Sequence, residues 1–201
     1  MITIINYGMG NLGSIQNILK KIGVDSVITS DVDKINNASK IILPGVGSFD
    51  RAMENLKDLE LIDSLNEKVL NEKIPVLGIC LGMQLLAKDS TEGVLPGLGW
   101  IDANVKKFDV DKALKVPHMG WNYTIQQKES SLFFDMYTTP RFYHVHSYYF
   151  VCNNDEDILT TTNYGAEFTS SVNKGNIYGV QFHPEKSHKF GMKLLENFAK
   201  I

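Results

Sequence analysis

The clearest chemical signal in the sequence is the segment Gly-Ile-Cys-Leu-Gly, residues 78–82, in which Cys80 lies between two close glycines. The segment follows the apolar run IPVLGI and precedes MQLLAK, which has helical periodicity. This is the form of a nucleophile elbow, a sharp strand-to-helix turn in which neighbouring backbone leaves room only for glycine. The pattern predicts that Cys80 is a nucleophile at the carboxyl end of a strand, where the start of the helix favours its thiolate.

A nucleophile of this kind needs a base and a group that orients the base. The segment GVQFHPE, residues 179–185, supplies both, because an apolar strand ends in His183 and Glu185 follows two positions later. Pro184 cannot continue the hydrogen bonding of a strand, so the pair is expected at a strand end, where parallel sheets carry their active sites. We therefore predict a catalytic triad of Cys80, His183 and Glu185.

A third segment, LPGVG at residues 43–47, follows the apolar run KII. In elbow enzymes the oxyanion hole combines the N–H after the nucleophile with an N–H from a loop that follows an earlier strand. The sequence therefore predicts an oxyanion hole from the N–H groups of Leu81, Val46 and Gly47.

Taken singly, these three segments have structural interpretations. A lone cysteine is commonly a buried core residue, a His-Pro-Glu tripeptide a surface turn, and PGVG a tight turn that needs glycine for its dihedral angles. The catalytic interpretation is favoured because all three occur in one chain.

A competing signal lies at residues 8–13, GMGNLG, which match the dinucleotide-binding pattern GxGxxG between a predicted strand and a predicted helix. Asp31 or Asp33 stands near the expected acidic position, so a nicotinamide-dependent oxidoreductase is the alternative from another class. It is ranked lower because it leaves the cysteine elbow, the HPE segment and the PGVG loop unexplained.

A cysteine peptidase or deglycase-like protein would share the elbow but not the GMQ extension, and a silent binding module would need a broken triad.

The pattern of elements predicts an α/β fold. Residues up to about 95 alternate apolar strand-like runs with helical stretches, one of them at roughly 51–72, which indicates a parallel sheet. Short strand-like stretches then follow, including the aromatic run RFYHVHSYYFV, and predict added antiparallel strands. A final amphipathic helix, KFGMKLLENFAKI, closes the chain. We predict one domain over residues 1–201, with a mixed, mostly parallel central sheet of flavodoxin-like type flanked by helices.

The composition excludes several classes of protein. Twenty basic and 23 acidic residues give a net charge of −3, which argues against a nucleic-acid partner. The first residues, MITIINYGMG, lack the features of a signal peptide, and no apolar run approaches the length of a membrane span, so we expect a cytoplasmic protein that binds no membrane. Cys80 and Cys152 are then both expected as thiols, Cys152 with a structural role.

With these motifs the sequence resembles the class I (triad) glutamine amidotransferases, most closely the glutaminase subunits of imidazole glycerol phosphate synthases. The resemblance runs through nearly the whole chain. GICLGMQ and QFHPEKS are specific to the class, and YGMGN at residues 7–11 with PHMGWN at 117–122 favours these subunits.

The resemblance implies a reaction and a set of binding residues. Cys80 would attack the side-chain amide of glutamine, His183 would act as base and then acid, and Glu185 would orient the histidine. Glutamine would be held by Gln84 and Glu92, with the backbone of Ser147 and Tyr148 contacting its amino-acid end. No cofactor is expected, and five histidines without a CxxC pair indicate no zinc site.

The resemblance also implies a partner, a (βα)8-barrel cyclase that takes up the ammonia and switches the glutaminase on when its own ligand is bound. Its contact residues are predicted to be Asn11, Trp121, Asn122 and Lys186. Glutaminases of anthranilate, guanylate or pyridoxal phosphate synthesis remain alternatives for the ammonia acceptor. One departure from the family pattern is His144, where an apolar aromatic residue is usual. It is expected to be a substitution on a strand face, a lone histidine with a structural rather than a catalytic role.

Overall fold

The computed structural model describes residues 1–109 and 114–201. Its helices are α1 (Leu12–Lys21), α2 (Val32–Asn36), α3 (Phe49–Asp58), α4 (Leu61–Asn66), α5 (Leu81–Gln84) and α6 (His188–Lys200). Its strands are β1 (Ile2–Ile5), β2 (Ser26–Thr29), β3 (Ile41–Gly45), β4 (Val76–Cys80), β5 (Asp89–Ser90), β6 (Ala103–Lys107), β7 (His118–Tyr123), β8 (Ile125–Gln126), β9 (Arg141–His146), β10 (Tyr148–Cys152), β11 (Ile158–Tyr164), β12 (Ala166–Lys174) and β13 (Ile177–Val180).

In the described part of the chain, one mixed sheet of 11 strands forms the centre of the molecule, in the order β2-β1-β3-β4-β13-β12-β10-β6-β5, with β11 beside β12 and β8 beside β11. The five strands from β2 to β13 are parallel, and antiparallel strands from the second half of the chain extend the sheet. A separate antiparallel pair is formed by β7 and β9. The predicted fold class is confirmed.

The core lies on both faces of this sheet because its buried strands are apolar in both directions. In β3, Leu43 packs with α3 on one face, whereas Ile42 packs with α1 and α6 on the other. Such two-sided burial is typical of parallel strands covered by helices. The apolar face predicted for the closing helix is buried, with Phe190 and Leu194 in the core.

Two details of the predicted elements are wrong, and one strand was not predicted. The helix expected at 51–72 is interrupted where Glu60 takes a left-handed conformation, and it divides into α3, α4 and a π-helical turn at Glu67–Asn71. The aromatic run RFYHVHSYYFV divides at Ser147 into β9 and β10, which belong to different sheets. The segment containing PHMGWN forms the strand β7, which periodicity did not predict.

The order of strands explains how distant residues meet. β3, β4 and β13 are parallel neighbours, with Gly45 opposite Cys80 and Val180 opposite Ile79. Their carboxyl ends therefore lie at one edge, followed by the PGVG loop, the cysteine turn and the HPE segment. No helix among the described residues is long and apolar enough to cross a membrane.

Candidate active site

Cys80 is the last residue of β4 and immediately precedes α5, as an elbow requires. Its backbone has φ 54° and ψ −109°, a positive-φ conformation that is strained for a residue with a side chain. A Cβ on Gly78 would lie 2.6 Å from the carbonyl oxygen of Gly82, and one on Gly82 would lie 1.8 Å from the carbonyl oxygen of Leu43. The two glycines are therefore needed for backbone contact, as the sequence predicts, although α5 is only one turn long.

His183 and Glu185 form a buried pair just beyond β13. The Nδ1 atom of His183 lies 2.7 Å from Oε1 of Glu185, and both side chains are almost inaccessible to solvent. The backbone N–H of His183 donates to the carbonyl of Tyr143 in β9, and Pro184 begins a 3-10 turn that brings the carboxylate back to the ring.

The electrostatics of His183 indicate an ion pair with its neighbours. Burial lowers the pKa of His183, but the Cys80 thiol and the Glu185 carboxylate together raise it more strongly, to about 10. Since Nδ1 is bound to Glu185, Nε2 is the nitrogen left for the thiol, and it has no hydrogen-bond partner among the described residues. A histidine held between a cysteine sulfur and a carboxylate is the arrangement that activates a nucleophile.

A cavity of about 350 Å³ opens beside Cys80. Its wall includes the predicted oxyanion and substrate residues: Val46, Gly47, Leu81, Gln84, Glu92, Ser147 and Tyr148. These residues come from four separate segments of the sequence, and the fold brings them together around one thiol.

Two of the predicted substrate residues are already held by protein groups. Gln84 is buried and donates from Nε2 to the carbonyl of Tyr148 at 3.2 Å and to Oε1 of Gln181 at 3.1 Å. Glu92 accepts at 3.0 Å from the N–H of Phe49, the first residue of α3. Burial raises the pKa of Glu92, the Phe49 N–H opposes this, and the nearby Asp50 adds to it.

The three oxyanion candidates differ in setting. Leu81 is the first residue of α5, so its N–H is one of those without an acceptor inside the helix. Val46 and Gly47 follow the end of β3 in an exposed loop, and Gly47 has φ 117°, a conformation that glycine adopts without strain.

The predicted partner-contact residues lie outside the cavity. Asn11 is exposed and caps α1, and Lys186 is exposed above the ring of Tyr143. Trp121 on β7 is 42% exposed and stacks on His188. Asn122 is half-buried, and its amide nitrogen donates to the carbonyl of Asn163 at 2.8 Å.

Sequence reasoning missed Gln181, which is fully buried and links two site residues. Its Nε2 lies 3.8 Å from Sγ of Cys80, while its Oε1 accepts from Gln84. The available signal was its position two residues before His183 on the same apolar segment. His146, which also borders the cavity, was missed as well.

The expectation that His144 is a lone histidine is wrong. His144 is completely buried beside His118 and His146, with its Nδ1 3.1 Å from Nε2 of His146. The partners come from β7 and from the same strand β9, and the pairing of these two strands could not be inferred from either segment alone.

The glycine-rich turn at residues 8–13 has a structural explanation. Gly8 and Gly10 have positive φ angles of 80° and 96°, and a Cβ on Gly10 would lie 3.4 Å from the backbone of Gly45. Asp31, the acidic residue of the dinucleotide interpretation, caps α2 by accepting from Asp33 N–H and Lys34 N–H. The turn therefore packs α1 beside the PGVG loop.

Comparison with known proteins gives one consistent result. Residues 3–201 match the family model described as glutamine amidotransferase class-I. The sequence is 60% identical over 200 residues to imidazole glycerol phosphate synthase subunit HisH 2 of Methanococcus maripaludis, covering 100% of this chain and 99% of the relative. It is 47% identical over 201 residues to the protein of the same description from Pseudomonas aeruginosa, with full coverage of both chains.

Solved structures share the fold at low sequence identity. A crystal structure described as glutamine amidotransferase is 16% identical, with a TM-score of 0.77 and full coverage of both chains. The structure of PurLQS from Thermotoga maritima is 17% identical, with a TM-score of 0.75, covering 99% of this chain and 97% of that one.

Proposed function

The chain belongs to the class-I glutamine amidotransferase family, and from this we propose that it is the glutaminase subunit of an imidazole glycerol phosphate synthase in histidine biosynthesis. It hydrolyses glutamine to glutamate and ammonia and supplies the ammonia to a partner. The observation that carries the proposal is the strained cysteine at the end of β4 beside a buried His–Glu pair. Sequence similarity over the full length to relatives described as synthase subunits supports the assignment of the ammonia acceptor.

Cys80, His183 and Glu185 carry the reaction. The Cys80 thiolate attacks the carboxamide carbon of glutamine, and protonated His183 gives its Nε2 proton to the leaving nitrogen. Glu185, bound to Nδ1, orients the ring and stabilises its positive charge. Ammonia leaves and a glutamyl thioester remains on Cys80. Water that transfers its proton to the same histidine then releases glutamate.

Backbone N–H groups stabilise the tetrahedral intermediate. The N–H of Leu81, at the start of α5, is the first donor to the oxyanion. The second donor is the N–H of Val46 or Gly47. The exposed position of the PGVG loop makes its peptides accessible to a change of conformation. Glutamine binds in the cavity with Gln84 and Glu92 beside it and the Ser147–Tyr148 backbone at its amino-acid end.

The partner is a (βα)8-barrel cyclase, which consumes the ammonia. Asn11, Trp121, Asn122 and Lys186 contribute to the interface. Trp121 suits such a position because a half-exposed aromatic side chain offers a large apolar area to a partner at small entropic cost.

Release of glutamate from glutamine tests the catalytic assignment. We expect Cys80→Ala to lose at least about 10³-fold in kcat, with the cyclase and its ligand present, because the covalent step is removed. Cys152→Ala is the matched control. Burial, and then the carboxylate of Asp157, raise the pKa of Cys152 to about 12, so its thiol is not nucleophilic near neutral pH.

The same assay tests the partner. Glutamate release by the isolated chain should be low and should rise when the cyclase and its ligand are added. Normal release by the Cys80→Ala variant would contradict the catalytic role, whereas equal release with and without the cyclase would contradict the partner assignment alone.

A further inference from the structure

Three buried histidines, His118, His144 and His146, form a cluster that the proposed reaction does not use. His144 and His146 are two residues apart on β9 and so project from the same face, and His118 on β7 pairs directly with His146. One ring nitrogen from each residue lies within 4.8 Å of the others, and none of the three residues is more than 6% exposed. Two neighbouring strands thus direct three imidazoles at one point.

The hydrogen-bond partners of His146 determine which of its nitrogens carries a proton. Its Nδ1 lies 2.8 Å from the carbonyl oxygen of Tyr148, which only accepts, so Nδ1 carries the proton. In the neutral ring Nε2 therefore presents a lone pair. Two other nitrogens face this lone pair, Nδ1 of His118 at 3.3 Å and Nδ1 of His144 at 3.1 Å.

Hydrogen bonding alone satisfies this cluster poorly. The amide nitrogen of Asn122 donates to Nε2 of His118, so Nδ1 of His118 can donate to His146. That bond uses the one lone pair on Nε2 of His146, so Nδ1 of His144 has to share the same acceptor. The Nε2 atom of His144 is also buried without a hydrogen-bond partner among the described residues. A cation at the centre would accept all three lone pairs at once.

Two of the three nitrogen–nitrogen distances in the cluster agree with ligation of one ion. Two nitrogens each about 2.0–2.1 Å from a tetrahedral Zn²⁺ are roughly 3.3–3.4 Å apart. The two short distances in the cluster are 3.1 and 3.3 Å. A set of three histidines is a known Zn²⁺ ligand set, and imidazole is also a good ligand for copper and nickel.

The surroundings keep the rings in the form that binds metals. His118, His144 and His146 are all buried, and burial favours the neutral imidazole, which binds metals, over the charged form. The bond from His146 to the Tyr148 carbonyl is the kind of outer contact that orients a ligating histidine. The nearby positive charge of His183 opposes a second cation, so the affinity is expected to be moderate.

We propose that His118 and His144, through Nδ1, and His146, through Nε2, bind one divalent transition-metal ion of the Zn²⁺ class. Two local adjustments accompany binding. The rings of His118 and His144 are stacked with centroids 4.5 Å apart, so one of them rotates to aim its lone pair at the ion. The amide of Asn122 turns over to accept from Nε2 of His118, which then carries the proton, and this breaks the bonds of Asn122 to the Asn163 carbonyl and the Tyr123 N–H.

Metal binding by the full-length, untagged chain tests the proposal. After removal of metal with a chelator, the chain is titrated with Zn²⁺ in competition with a chromophoric chelator, and with Co²⁺, whose visible absorption reports tetrahedral ligation. We expect one ion per chain with a dissociation constant in the micromolar range or below. His144→Phe should weaken binding at least about 100-fold, since removal even of an outer partner costs 10–100-fold.

His188→Asn is the matched control, because it removes an exposed imidazole whose left-handed backbone, φ 47°, asparagine tolerates. It should bind Zn²⁺ as the native chain does. Circular dichroism tests whether the His144→Phe variant is folded. If it is unfolded, His144→Gln replaces it. Sub-stoichiometric binding by the native chain, or equal binding by the native chain and the folded His144 variant, would overturn the proposal.

Discussion

At the scale of single residues, the candidate site depends on charge held in a dry environment. His183 is 1% exposed, and it retains a proton because a thiol and a carboxylate lie on either side of it. Removing only one of these partners would leave a buried charge unpaired, which costs more than the pair contributes. The triad is therefore an electrostatic unit as well as a catalytic one.

This unit should make stability depend on pH. The folded-state pKa of His183, about 10, is above the ordinary value of 6.5, so its protonation stabilises the fold fully below pH 6.5 and less as the pH rises to about 10. We expect the difference in unfolding free energy between the native chain and His183→Gln to shrink by more than about 1 kcal/mol across this window. Denaturant unfolding at several pH values measures it.

Cys152→Ala provides the control for that series. Burial and nearby carboxylates raise the pKa of its thiol from 9.0 to about 12, so below about pH 8 the thiol is protonated in both the folded and the unfolded chain, and over that part of the window the difference from the native chain should stay constant. A difference for His183→Gln that is equally flat would show that the ring is neutral in the folded protein.

At the scale of elements, the strand-to-helix turn at Cys80 depends on close backbone contact between β3 and α5. The Cβ that alanine would add at residue 82 lies 1.8 Å from the carbonyl oxygen of Leu43. Both segments are buried and belong to the central sheet or its covering, so neither can move away without disrupting the core.

Gly82→Ala should therefore destabilise the protein by at least about 3 kcal/mol or prevent its folding, because overpacking against backbone cannot relax. Gly13→Ala is the matched change, since Gly13 is also helical but a Cβ there meets nothing within 4 Å. It should raise stability by about 0.4–1 kcal/mol. Urea unfolding of both variants measures the contrast, and similar stabilities for the two would refute the steric explanation.

At the scale of the whole molecule, the outer face of β7 is the surface most suited to a partner. Its residues alternate, with Met119 and Tyr123 exposed on either side of Trp121 and His118 buried beneath. The same strand thus carries Trp121 of the proposed interface on one face and His118 of the histidine cluster on the other, and β9 connects both to His183.

Trp121→Ala should weaken binding of the cyclase at least about tenfold, because it removes a large apolar contact and the stacking on His188. Calorimetric titration measures this. Phe134→Ala removes another exposed aromatic side chain, one that is 72% accessible and lies outside β7. The affinity of the Phe134→Ala variant for the cyclase should be unchanged. An equal loss of affinity in the two variants would argue against β7 as the contact surface.

The sequence by itself determined the features whose cause is local. Gly78 follows from the geometry of a single turn, in which a Cβ would meet the carbonyl of Gly82, and the His-Pro-Glu segment follows from the proline that ends one strand. The α/β class followed from the alternation of strand-like and helical hydrophobic periodicity, because residues close in sequence determine which face of a strand or helix is buried.

Only the tertiary structure decided which distant segments meet. The contact of Gln181 with Cys80 joins residues about a hundred positions apart, and the histidine cluster depends on the pairing of β7 with β9. A strand's own residues specify which face is buried but not which strand lies beside it, because strand order is set by packing of the whole core. The convergence of three histidines was therefore visible only in the folded chain.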